Sequence, residues 1–484
     1  MRPSARTAFP CLPAWLLAVA LGIGAVVPLA RPLYAYNRQN PRWEAVEPKH
    51  QPRKPYRPLH LPPEELPPRH QRGLLGGKLT AEEHALEGLA TVLLLTVAAQ
   101  WLAVWARVPA ALLLLVFGCV AGPVTEFLDP DRLFGSLLLP LVSTALALVL
   151  FFESLTVRKL RWVHQDSVRS LASVGLAITW VLGTTAACFL LQLSLRLALL
   201  FGLILALTGP TGTLAFVRRR SAKGLNAIIS GERTITDLAG TVLVILIFEA
   251  IRAGGFRGFG GPAWTAVRNT LGFGLFFGAC GGGLLLLLLQ RRGIPRSLEH
   301  SVPLMLALTV FAASNLIQAD SGFVAVMIMG TLVSSQGTVT LEYTRRLRGR
   351  WPDLLLAAVF LVLVARIRVQ NLVPIGVPAA VFVAVVVLGT RPLAAGLSTL
   401  NAGFSWRERL LLSLMAPRGV LAAGLATICG LRLAETRYPE AAVWVPLTLL
   451  VVGGTVATCA LAPLVMGRPQ APVTAGTEAA GELT

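Results

Sequence analysis

Glu232, Arg233 and Asp237 stand together in GERTITDLAGTVLVILIFE, residues 231–249, whose later part is Leu, Val, Ile and Ala with hardly a polar atom. Such a segment has the composition of a helix in hydrocarbon. An ionised side chain at bilayer depth costs at least about 2.5–3.5 kcal/mol on insertion scales, so each of the three must find a partner, an ion or a water-filled cavity. On a helix Asp237 follows Arg233 by one turn. It faces a different side from Glu232, because five residues advance about 140° past a full turn. The two carboxylates are thus placed for separate work, one held by a partner and one open to a cation or a proton. Two plainer arrangements also fit: Arg233 and Asp237, at i and i+4, neutralise each other, or all three charges lie at headgroup level.

Further polar groups interrupt the apolar runs. Leu207-Thr208-Gly209-Pro210-Thr211-Gly212-Thr213 falls inside a span. Proline removes a backbone donor and glycine loosens the helix, so backbone groups freed at Gly209, Pro210 and Gly212 need other partners. Broken helices of this kind present backbone and half-helix ends to ions, and the hydroxyls of Thr208 and Thr211 are oxygen ligands suited to Na⁺. An ordinary proline kink is the plainer alternative. Arg418, in Met415-Ala416-Pro417-Arg418-Gly419, stands about a dozen residues into the span 406–432 and needs an anion, for which Glu232 is the best candidate. Glu153, at the end of an apolar run, fits either a site or the headgroup region, and Glu249 reads as interfacial.

The elements that must position these residues follow from composition. The chain has 484 residues, 55% hydrophobic and only 14% charged, with a mean hydropathy of +0.68. Repeated apolar runs near twenty residues make it an all-α polytopic membrane protein, since helices satisfy their own backbone in lipid. We expect about thirteen core spans, near 84–106, 108–127, 133–155, 170–193, 196–217, 225–251, 264–290, 302–318, 321–336, 353–367, 372–390, 406–432 and 442–466. The net charge of +19 is carried by short loops and sets topology instead of binding nucleic acid. Basic clusters at 158–161, 218–223 and 345–350 follow odd-numbered spans and are expected in the cytoplasm. Cys119, Cys188, Cys280, Cys429 and Cys459 lie in apolar spans without ligand spacing, and no histidine lies in mid-span. Zinc chemistry and cofactors are not expected. The glycines of GACGGG, 278–283, lie inside a span and read as helix-packing positions, not as a nucleotide loop.

Flanking the core, residues 1–35 read as a signal anchor or a signal peptide. Residues 36–80 read as a proline-rich, extended, extracytoplasmic linker. The transmembrane domain covers 84–466, and 467–484 form a short cytoplasmic tail.

In order along 84–466, the motifs resemble the sodium/hydrogen-exchanger domain of bacterial monovalent cation:proton antiporters. They are Val108-Pro109 with Phe117-Gly118 and Gly122-Pro123; Phe152-Glu153; Leu207–Thr211; Glu232, Asp237 and Gly240 with Phe248-Glu249; then Asp320-Ser321-Gly322, Met329-Gly330, Arg391-Pro392-Leu393 and Ala416–Gly419. The resemblance implies inverted repeats with two crossing, interrupted helices and an elevator-like core against a dimerising panel. It also implies an ion-binding carboxylate at Asp237 and a structural ion pair between Glu232 and Arg418. This chain departs at Thr236, where many members have asparagine or a second aspartate, and at Arg233, where a small residue is usual.

The expected activity is antiport of Na⁺ or K⁺ against H⁺ across a bacterial inner membrane by a homodimer in the lipid bilayer. Asp237 binds either cation or proton, and Thr236, Thr208 and Thr211 are candidate ligands. Na⁺ at Asp237 is the one metal expected. Arg233 is expected to point away from Asp237. A transport-inactive homologue acting as sensor or scaffold, a membrane enzyme and an ion channel are the rival readings.

Overall fold

The computed structural model describes residues 81–106, 108–157, 166–209, 223–254, 261–290, 298, 301–335, 351–367, 376–400, 404–414, 418–436 and 438–466. The anchor, linker and tail, the basic clusters at 158–161 and 345–350, and Pro210, Thr211 and Gly212 lie outside them.

Apolar composition and intrahelical hydrogen bonding produce fourteen α-helices among the described residues. They are α1 Ala81–Ala106, α2 Ala110–Val124, α3 Pro130–Ser154, α4 Val168–Leu190, α5 Leu195–Ala206, α6 Lys223–Arg252 and α7 Pro262–Gln290. There follow α8 Ser301–Ile317, α9 Ser321–Ser335, α10 Trp351–Ala365, α11 Gly376–Ser398, α12 Trp406–Leu414, α13 Val420–Thr436 and α14 Trp444–Met466. Seven are long and apolar enough to cross a membrane, and five more are shorter apolar helices. The chain is a multi-pass helical membrane protein. These lengths leave the expected count of thirteen spans unconfirmed.

Two expected spans do not run through as single helices among the described residues. The helix expected over 196–217 stops at Ala206, and Leu207 turns extended with φ −68° and ψ 139°. The span expected over 406–432 is split into α12 and α13, with Arg418 and Gly419 between them. The two breaks meet. A Cβ on Gly419 would stand 2.5 Å from the Thr208 carbonyl oxygen and 2.7 Å from the Gly209 Cα, and Gly209 itself takes a φ of +58°. Glycine at both positions lets the two backbones touch where any side chain would separate them.

Helix α6 is the most enclosed of the seven long apolar helices. Leu238, Ala239, Val244, Ile245 and Phe248 are all buried on it, and Gly240 leaves room for the Leu207 side chain at the first break. Glycines do the same for α7 against α9, where a Cβ on Gly278 would lie 2.5 Å from the Ala325 carbonyl oxygen. Gly278, Gly281 and Gly282 are therefore packing positions, as close helix approach in lipid requires, whereas Gly283 faces open space. By contrast, α1 leaves Leu94, Trp101 and Trp105 exposed, as a lipid-facing helix would.

Candidate functional site

Asp237 lies at the crossing of the two breaks and has no exposure to solvent. The extended turn after α5 frees the amides of Thr208 and Gly209 from helical bonding, and Asp237 accepts from both. Thr208 N–H donates to Oδ1 at 2.9 Å, and the Thr208 hydroxyl donates to the same oxygen at 3.0 Å. Gly209 N–H is shared between Oδ1 and Oδ2, each at 2.9 Å. A buried carboxylate needs such donors. The interrupted helix supplies them from its own backbone, so the break and the charge satisfy each other.

Thr236 is buried and its hydroxyl has no hydrogen-bond partner. Of the expected ligands, the structure joins Thr208 to Asp237, leaves Thr236 beside it in sequence with an unused oxygen, and does not describe Thr211.

Glu232 is held, but not by Arg418. Arg391 of α11 donates to it through both terminal nitrogens, Nη1 to Oε1 at 2.6 Å and Nη2 to Oε2 at 3.1 Å, and both side chains are buried. The fork geometry of guanidinium on carboxylate makes this a strong pair. Arg418 is instead tied down by its own backbone, whose N–H donates to the Thr455 hydroxyl at 3.0 Å. Its Nη2 reaches the Thr390 hydroxyl at 3.5 Å, while Nε and Nη1 bond to nothing. The expected pair fails because α11 runs on to Ser398, eight residues past the boundary expected from apolarity. That extension puts Arg391 inside a helix. Pro392 follows it, and the π-helical turn Val385–Thr390 precedes it, as a proline within a helix disturbs the turn before it. The signal available in the sequence was an arginine followed by a further apolar turn, Leu393 to Leu397.

Contrary to expectation, Arg233 does not point away from Asp237 towards a loop or headgroup. Its Nη2 donates to Glu153 Oε1 at 2.5 Å, and its Nε lies 3.6 Å from Asp237 Oδ2 without a hydrogen bond. Glu153, at the end of α3, is buried and also accepts from the Thr234 hydroxyl at 3.4 Å. The polar centre thus gathers α3, α5, α6, α11 and the start of α13.

A second ionic group sits at the other end of α6. Glu249, expected at the interface, is buried in protein. It accepts from Arg252 Nη1 at 2.9 Å. Asp320, ahead of α9, accepts from Arg432 Nη1 at 2.7 and 2.6 Å and lies 3.6 Å from Arg252. Among the described residues no group of three or more His, Cys, Asp or Glu could hold a metal ion.

With this geometry in hand, the relatives can be placed. The family model for the sodium/hydrogen exchanger, transmembrane, matches residues 89–465. The K(+)/H(+) antiporter NhaP2 of Shewanella sp. (strain MR-4) is 27% identical over 299 residues, covering 60% of this chain and 51% of the relative. The K(+)/H(+) antiporter NhaP of Alkalimonas amylolytica is 25% identical over 328 residues, 66% of this chain and 55% of the relative. The chain thus spans about half the length of the curated relatives it matches. Among solved structures, the sodium proton antiporter MjNhaP1 from Methanocaldococcus jannaschii at pH 8 superposes with a TM-score of 0.65. It is 21% identical, over 79% of this chain and 100% of that one, a likeness that speaks for the fold. The family match covers most of the chain and includes both helix breaks, Asp237, and the Glu232–Arg391 pair. This chain belongs to the sodium/hydrogen exchanger transmembrane family.

Proposed function

We propose that the protein exchanges a monovalent cation, Na⁺ or K⁺, for H⁺ across the bacterial plasma membrane, working as a homodimer, with Asp237 as the exchanging carboxylate. One observation carries the reading: a fully buried Asp237 whose donors come from the broken helix, Thr208 and Gly209. A carboxylate in this setting binds a proton or a cation but not both, and that competition couples the two flows without any cofactor. When a cation arrives, the Thr208 hydroxyl turns its oxygen towards it, since a hydroxyl both donates and accepts. The Thr236 oxygen, buried without a partner, is the next ligand available, and Thr211 completes the proposed set. Glu232 takes no part in the exchange, because Arg391 occupies both its oxygens.

The names of the relatives, K⁺/H⁺ antiporters in the bacterial cases and a sodium proton antiporter in the archaeal one, support antiport and leave both ions as candidates. Membership of a transporter family speaks against an enzyme.

A second reading has its own observation. Arg233 Nε is 3.6 Å from Asp237 Oδ2, so a tethered cation already stands beside the site. On this reading the protein is a transport-inactive homologue acting as sensor or scaffold. Everted vesicles loaded with a pH-sensitive dye decide between the two. Addition of Na⁺ or K⁺ is expected to dissipate the proton gradient in the native protein and not in Asp237→Asn. If the native protein is silent and Arg233→Gly alone acquires cation-dependent proton efflux, the inactive reading holds.

A further inference from the structure

We propose that Glu153 is a positioning residue that keeps Asp237 open to a cation by engaging Nη2 of Arg233, so that the guanidinium beside Asp237 makes no hydrogen bond to it. The inference rests on Asp237 being the exchanging carboxylate. Arg233 stands one turn before Asp237 on the same helix, the spacing at which a guanidinium and a carboxylate meet by default. An arginine stays charged under all relevant conditions and cannot be titrated out of the way. Left to α6 alone, it would settle on Asp237 as an internal substitute for the transported ion.

The structure shows a different balance. Arg233 commits its Nη2 to Glu153, in a direct hydrogen bond of 2.5 Å. Towards Asp237 it offers only Nε, at 3.6 Å and without a hydrogen bond. Asp237 meanwhile takes its hydrogen bonds from Thr208 and Gly209. Glu153 is well placed to win this contest. It comes from another helix, α3, and its second oxygen is steadied by the Thr234 hydroxyl at 3.4 Å. The other nearby carboxylate, Glu232, has both oxygens engaged by Arg391. Glu153 and Arg233 therefore form a neutral pair beside Asp237. Without Glu153 the guanidinium has Asp237 as its remaining strong partner and competes with every incoming cation.

The test compares the full chain, purified in detergent and reconstituted in liposomes, with Glu153→Gln, Glu153→Gln/Arg233→Gly and Asp237→Asn. Na⁺ and K⁺ are titrated at one fixed pH, with exchange rate and cation-dependent rise in melting temperature both recorded. Glu153→Gln is expected to raise the apparent KM and the thermal-shift midpoint for the cation at least about fivefold, the lower end of typical coupling between sites, with kcat changed far less. Removing Arg233 in the double variant is expected to restore both values, which a merely structural role for Glu153 would not do. An unchanged midpoint in Glu153→Gln, or a raised one that the double variant fails to restore, overturns the proposal while loss of response in Asp237→Asn keeps the site itself. An Asp237→Asn protein that responds like the native one overturns both. Should Glu153→Gln fail to fold, Glu153→Asp decides: its shorter reach predicts an intermediate midpoint, and a native midpoint overturns the proposal.

Discussion

Glu232 and Arg391 are both buried and share two hydrogen bonds, so losing one strands the other as an uncompensated charge. Breaking such a pair typically costs about 3–5 kcal/mol. Arg391→Ala and Glu232→Ala are each expected to lower the melting temperature or the folded yield strongly, and the double variant to cost less than their sum. Fully additive losses would mean that the two side chains do not act on each other. Arg418→Ala is expected to couple less strongly to Glu232→Ala than Arg391→Ala does, because the Arg418 side chain hydrogen-bonds Thr390 and not Glu232. The same pairing bears on stoichiometry. Glu232 is committed to Arg391 and Glu153 to Arg233, which leaves Asp237 as the one carboxylate of this cluster to change occupant. One cation for one proton moves no net charge, so exchange is expected to be electroneutral. Cation flux in proteoliposomes driven by an imposed membrane potential, with no pH gradient, would contradict this.

At the scale of elements, the crossing of the two breaks is the part of the structure with least tolerance. Gly419 faces the Thr208 carbonyl and the Gly209 backbone, which are not the movable ends of side chains. A methyl group there has to push apart the turn that offers Thr208 and Gly209 to Asp237. Gly419→Ala is expected to damage exchange more than it lowers folded yield, with a higher apparent KM for the cation. A variant with native KM would show that the crossing has slack. Gly454, in α14, is a useful contrast, since the atom nearest a Cβ there is a methyl of Val387 at 2.9 Å, a side chain able to shift. The group of Glu249, Arg252, Asp320 and Arg432 joins α6, the turn before α9, and α13 at some distance along α6 from Asp237. Asp320 sits at φ +61°, an unusual conformation for a residue with a side chain. Both of its carboxylate oxygens accept from the one nitrogen, Nη1, of Arg432.

For the whole molecule, orientation follows from charge. The clusters at 158–161, 218–223 and 345–350 are expected to be cytoplasmic and the linker 36–80 external. Cysteines introduced into the linker are expected to react with an impermeant thiol reagent in intact spheroplasts, judged against the native chain. Reaction confined to inverted vesicles would reverse the topology. This orientation matters for the proposed exchange, because it states which side of α6 carries the Asp237 end and which the Glu249 end.

Much of this protein was legible in its sequence. Apolar runs, sparse charge and basic clusters specify a helical membrane protein, because a chain in hydrocarbon must satisfy its backbone within each helix. Glu232, Arg233 and Asp237 could be singled out for the same reason: charge in such a segment is costly and needs a partner. The break at Thr208-Gly209 was visible too, from the glycine and proline that a helix resists. Partner choice was not visible. Sequence spacing orders residues around one helix, but the depth and rotation of a second helix against it are set by packing. Only the tertiary structure brought Arg391 instead of Arg418 to Glu232, after α11 extended past the end of its apolar run. It alone drew Arg233 to Glu153, eighty residues away, and enclosed Glu249 in protein. Each of these depends on which carboxylate and which guanidinium are buried at the same level, and that is decided when helices pack, not when they form.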